Sequence, residues 1–138
     1  DLIRSCILNK KFKMRGNGES IRDYIYIDDI VYVYKLLSKK LYLNPKKYSG
    51  EVFNAGTNIP HKTKNILKKI FLYGKKNKEL KKITINMKKN KTSGELSAQL
   101  MDFKKLKKYF GWKPQNKFEH ILPTVYDWYE NYFKKQYK

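Results

Sequence analysis

Arg22 is the side chain whose chemistry most needs an account. It lies within Gly16-Asn-Gly-Glu-Ser-Ile-Arg-Asp-Tyr-Ile-Tyr-Ile-Asp-Asp-Ile30, where a glycine turn runs into an apolar, β-branched stretch and then an acidic helix start. A guanidinium there can pair with Glu19 or Asp23 across the turn, or hold an anionic group with its two-pronged fork. Gly16-Asn-Gly18 does not form half of a dinucleotide fingerprint, because Ile21 stands where the third glycine would be and strand residues follow. Cys6, His61 and His120 are too few and too scattered for a structural zinc site, and Cys6 reads as a small buried residue on a helix face.

Positioning Arg22 requires a turn, a strand and a helix in that order. The run Ile21 to Ile27 has strand composition. Asp28 or Asp29 can then cap a helix over Asp29 to Leu41, with Ile30, Val33, Tyr34, Leu37 and Leu41 at helical spacing. Upstream, a helix with Ile3, Ile7 and Leu8 on one face ends near Asn9, and Phe12 to Arg15 reads as a short strand. Downstream, Asn44-Pro45 stops the long helix, Tyr48 to Gly50 turns, and Val52 to Asn54 reads as a strand. The loop Gly56 to Pro60 opens a helix faced by Ile66, Leu67, Ile70 and Phe71 and ended by Gly74. Ile83, Ile85 and Met87 alternate as in a strand, and Lys88 to Ser97 reads as irregular. Asp102 caps a short helix with Phe103, Leu106, Tyr109 and Phe110 inward, closed by Gly111 and Pro114. A final helix starts near Phe118. Its stripe of Ile121, Leu122, Val125, Trp128, Tyr129 and Tyr132 reads as core, with Pro123 predicting a kink or a late start.

The 138 residues amount to one domain, enough to bury a sizeable core. Asp1 begins inside a helical pattern, so the start reads as a cut; no leader or membrane-length apolar run is visible, and the expectation is a soluble, cytoplasmic product with no membrane partner. A formal charge of +20 with 15% aromatic residues raises an alternative, a small lysine-rich nucleic-acid-binding module. Two features count against nucleic acid. Of 32 basic residues only Arg4, Arg15 and Arg22 are arginine, the residue suited to reading bases and gripping phosphates, and the lysines are spread through every segment.

The Gly-x-Gly turn leading into Arg22-Asp-Tyr-Ile-Tyr-Ile-Asp-Asp29 resembles the nucleotide-sugar epimerases and dehydratases of the extended short-chain dehydrogenase/reductase family. Glu51-Val-Phe-Asn-Ala-Gly-Thr57, Gly94-Glu95 with Gln99, Phe110-Gly-Trp-Lys-Pro114 and Trp128-Tyr129 match in the same order. The opening Asp1-Leu-Ile-Arg-Ser-Cys-Ile-Leu8 and the Gly94-Glu-Leu-x-x-Gln99 spacing look most like the CDP-glucose 4,6-dehydratase branch.

The resemblance implies an α/β fold: a C-terminal fragment of a Rossmann-type enzyme, comprising the last strands and helices of its sheet and the small substrate-binding lobe. Residues 1–138 would be a single C-terminal substrate-binding region, with the N-terminal NAD-binding region absent from this chain. It implies a homodimeric parent that oxidises a sugar transiently at C4, then eliminates water or re-reduces the opposite face. The catalytic tyrosine of that chemistry has a lysine four residues later. Tyr42 with Lys46 and Tyr109 with Lys113 have the spacing, but 12 tyrosines among so many lysines give about two or three such pairs by chance. Both also fall after the Arg-Asp strand, where the family has none, so no catalytic residue is assigned and the chain by itself is expected to be inactive.

Substrate binding remains. By resemblance, Arg22 holds the diphosphate of a nucleotide sugar, Glu95 accepts hydrogen bonds from the ribose hydroxyls, and Phe12 and Met14 lie along the base. Many relatives place a second arginine two residues before Gly94; Thr92 stands there, with Lys91 beside it as a point charge. Asp29 and Asn54 also match family positions, which a helix cap and a turn explain adequately.

Overall fold

The computed structural model describes residues 1–14, 16–77, 85–86, 94 and 96–136. It divides into two compact units: Asp1–Arg22, His61–Gln99 and Glu119–Lys138 in one, Asp23–Pro60 and Leu100–Phe118 in the other.

The first unit holds α1 (Leu2–Ile7), β1 (Phe12–Lys13), β2 (Ile21–Arg22), β3 (His61–Lys62), α4 (Thr63–Asn77), β4 (Ile85–Asn86), β5 (Ala98–Gln99) and all of α6 (Phe118–Gln136) but its first residue. Leu2, Cys6 and Tyr126 form its buried centre, and Ile3, Ile7, Phe12, Leu67, Ile70 and Phe71 pack around them. β1 pairs with β4 in parallel. A second sheet runs β3-β2-β5, with Arg22 opposite His61 on the antiparallel side and Gln99 on the parallel side.

The second unit holds α2 (Ile27–Leu43), α3 (Pro45–Tyr48) and α5 (Lys104–Phe110). Its core is Val33, Leu106 and Trp112, walled by Leu37, Phe53, Phe103 and Phe110 among others. Phe103 meets Trp112 edge to face at 5.7 Å. Gly111 ends α5 in the left-handed conformation (φ 66°), donating its N–H to Lys107 O at 2.8 Å, as the sequence predicts. Asp102 Oδ1 accepts the N–H of Lys104, the first residue of α5, at 2.7 Å.

Several expectations are corrected. The strand predicted over Ile21 to Ile27 stops at Arg22, and α2 starts at Ile27 after an extended Tyr26. Asp28 and Asp29 then fall in the first helical turn, where their charge favours the positive end of the helix dipole, and neither is the cap residue. Val52 to Asn54 is not a strand; Phe53 is held by rings instead, 5.4 Å from Phe110 and 5.6 Å from Tyr109. α4 continues through Gly74 to Asn77, because its flank is pinned by Tyr73 against Tyr126 at 5.4 Å, which offsets a mid-helix glycine. His61–Lys62 and Ala98–Gln99 are strands that local composition did not reveal.

The stripe on α6 is also rotated. Leu122, Tyr126 and Phe133 are its buried residues, whereas Trp128 is 59% exposed and stacks on exposed Tyr132 at 5.3 Å. Tyr34, expected inward on α2, is exposed as well. α6 starts at Phe118 and passes through Pro123, so the late start does not occur. Most of the Ile83 to Met87 strand and of the Lys88 to Ser97 segment lies outside the described residues. Among the described residues no helix is long and apolar enough to cross a membrane, and no three His, Cys, Asp or Glu side chains cluster to hold a metal ion.

Candidate functional site

β2 is short, and side chains and turns hold it as much as its ladder does. Ile21 N–H donates to Ser97 O at 2.9 Å, Thr63 N–H to Ser20 O at 3.0 Å, and Lys64 N–H to Gly18 O at 2.9 Å. The turn before β2 needs glycine: Gly18 has φ +73°, and a Cβ there would come within 2.8 Å of Lys64 Cβ and 3.0 Å of Met14 Cε. This turn packs on its own chain and leads into a strand, so it does not fit a pyrophosphate, which needs an open glycine loop at a helix N-terminus. Glu19 beside it pairs with Lys62 at 2.9 Å and with Lys64, and those ammonium hydrogen bonds, from Lys64 first, hold its carboxyl at about 2, well below 4.5.

Arg22 therefore sits on a braced strand. Its Nη1 donates to Ile21 O at 2.8 Å and to Leu96 O at 3.0 Å, which ties the guanidinium to β2 and to the residues leading into β5. Gly94 (φ +75°) and Leu96 flank Glu95 in sequence, and Glu95 itself lies outside the described residues. Phe12 is half-buried on β1 and packs against the Leu2–Cys6–Tyr126 cluster. Met14 is buried under the Gly18 turn. The structure thus sets Arg22 against Leu96, and Met14 with the turn that precedes β2.

Neither Tyr-Lys spacing lies on one helix. Tyr42 is near the end of α2 and Lys46 is in α3 beyond Pro45; Tyr109 is in α5 and Lys113 lies past the left-handed Gly111. The geometry that lets a lysine act on a tyrosine one turn away is missing in both.

Two carboxylates organise the second unit, and sequence reasoning gave them lesser parts. Asp23 accepts the Thr57 N–H on both oxygens at 3.0 Å, the Thr57 hydroxyl on Oδ1, Asn58 N–H at 2.9 Å and Met101 N–H at 3.3 Å. Gly56 makes room for it, since a Cβ there would lie 2.5 Å from Asp23 Oδ2 and from Met101 Cβ. The signal for Asp23 was its place beside Arg22 in the motif, read only as a counter-ion. Buried Asp29 does not cap α2; it accepts the backbone N–H groups of Gln115 and Asn116, both at 3.1 Å. It borders an open recess of about 470 Å³ lined by Tyr32, Phe110 and Trp112.

Residues 2–125 match the family model described as GDP-mannose 4,6 dehydratase. The dTDP-glucose 4,6-dehydratase of Escherichia coli is 27% identical over 94% of this chain and 36% of its own length. Among solved structures, the dTDP-glucose 4,6-dehydratase of Bacillus anthracis in complex with NAD aligns with TM-score 0.73 and 22% identity, covering 94% of this chain and 38% of that one. The UDP-glucose 4-epimerase of Thermotoga maritima with UDP-glucose aligns with TM-score 0.67 and 25% identity, covering 99% and 39%. The chain spans less than two fifths of the length of these relatives.

Proposed function

The chain belongs to the GDP-mannose 4,6-dehydratase family of extended short-chain dehydrogenases/reductases and has the α/β fold of the C-terminal portion of these Rossmann-type proteins, and from that premise we propose that it binds the nucleotide-sugar substrate of a 4,6-dehydratase or epimerase. In this reading NAD is held by an N-terminal region outside this chain, the parent is a cytoplasmic homodimer, and the chain alone turns nothing over. The CDP-glucose branch is one candidate for the parent. One observation carries the reading: Arg22 is anchored by Ile21 O and Leu96 O, so its charge is held at the end of the central strand of the sheet, beside Leu96.

A guanidinium tied in this way loses little freedom on meeting a diphosphate, and its fork suits two phosphoryl oxygens where a lysine is only a point charge. Glu95 accepts from the vicinal ribose hydroxyls, which a carboxylate does with both oxygens. Half-buried Phe12 offers apolar surface to the base, while Met14, buried under the Gly18 turn, acts only by supporting that turn from beneath. Thr92 in place of a second arginine leaves Arg22 as the principal anchor, with Lys91 adding charge.

Calorimetric titration of the 138-residue chain with UDP-glucose, dTDP-glucose and CDP-glucose tests the proposal. At least one should bind, and R22A should weaken it about 10- to 100-fold, the value of a charge-assisted pair, with an unchanged circular dichroism spectrum. Equal affinity of R22A and wild type would remove Arg22 from the site. Binding of duplex DNA with a steep salt dependence, and of no nucleotide sugar, would replace the proposal with a nucleic-acid module.

A further inference from the structure

We propose that Asp23 is a positioning residue for Arg22, an inference that rests on the nucleotide-sugar reading and deepens it. The three strands of the β3-β2-β5 sheet each continue directly into a segment that Asp23 holds. Asp23 follows β2; Thr57 and Asn58 lie just before β3; Met101 lies just after β5. Its one carboxylate accepts the N–H groups of Thr57, Asn58 and Met101 and the Thr57 hydroxyl.

Arg22 depends on those strands. His61 of β3 and Gln99 of β5 are its register partners, and Leu96 O, which orients the guanidinium, leads into β5. Two-residue strands make too few ladder hydrogen bonds to set their own register. A carboxylate that accepts several backbone donors is strong and directional, and Gly56 allows the approach that those donors need. Asp23 thus acts through the backbone on where the Arg22 fork lies. It touches no ligand in this scheme.

D23N tests this in the 138-residue chain, because an amide keeps the shape but turns a donor toward the Thr57, Asn58 and Met101 donors. Amide exchange is read at Ile21 and Thr63, whose N–H groups bond Ser97 O and Ser20 O, and affinity is read with UDP-glucose as probe. Expected are exchange at these two amides about tenfold faster and affinity about tenfold weaker, with the unfolding midpoint still cooperative. Unchanged exchange at Ile21 and Thr63 overturns the proposal whatever the ligand does, and unchanged affinity alongside an R22A loss overturns it too. Faster exchange with no binding by the wild type supports the positioning of Arg22 and overturns the nucleotide-sugar reading alone. Should D23N fail to fold, T57V decides: it removes the hydroxyl that donates to Asp23 and accepts the Ile59 N–H, and should reproduce the exchange effect, while T57S restores it.

Discussion

Asp29 holds Asn116 at two points: Oδ2 accepts the backbone N–H and Oδ1 accepts Nδ2, both at 3.1 Å. With Gln115 N–H also on Oδ1, one buried carboxylate at the first turn of α2 fastens the stretch that follows Pro114. Removing it leaves several donors without an acceptor where water has little access. D29A should lower stability by about 2–3 kcal/mol, the cost of orphaning such groups, measured by urea unfolding. A loss within the noise of the method would show that water replaces the carboxylate.

Glycine substitutions should separate two kinds of strain. At Gly111 a Cβ meets nothing within 4 Å, so G111A carries only the left-handed penalty, about 1 kcal/mol. At Gly56 a Cβ would strike Asp23 Oδ2 and Met101 Cβ at 2.5 Å and Met101 O at 2.9 Å. G56A should cost about 2–3 kcal/mol, as overpacking against fixed atoms does. Denaturant midpoints that ranked G111A below G56A would contradict this assignment.

Glu19 gives the chain an acid-sensitive contact. Hydrogen bonds from Lys64 and Lys62 lower its carboxyl to about 2 from 4.5. A folded value below the unfolded one stabilises the protein above about 4.5, and that contribution fades as pH falls from 4.5 towards 2. The difference in melting temperature between wild type and E19Q should shrink across that window and also shrink with added salt, since both lysines are exposed. A difference independent of pH would mean that the two ion pairs do not form in solution.

How much could be read beforehand depended on whether the cause was local. Gly111 ended its helix as expected because a left-handed glycine needs only its own backbone. Ile66, Leu67 and Ile70 faced inward because a helical stripe fixes a face. Trp128 and Tyr132 misled because the stripe of α6 is aromatic nearly all round, and only tertiary packing chose Leu122, Tyr126 and Phe133. Strands of two residues such as β3 and β5 exist through their partners in β2, which no window of sequence contains. Asp23 and Asp29 were seen as counter-ion and cap because their true acceptor roles join residues far apart: Asp23 reaches Met101, and Asp29 reaches Asn116.

The chain has two tryptophans, and each unit holds one: Trp112 is buried at 5% exposure, Trp128 open at 59%. Their emission colours and their access to an aqueous quencher such as iodide therefore differ, so W112F and W128F turn the protein into a pair of single-tryptophan reporters. Loss of order in either half becomes separately visible in one cuvette, without any added label.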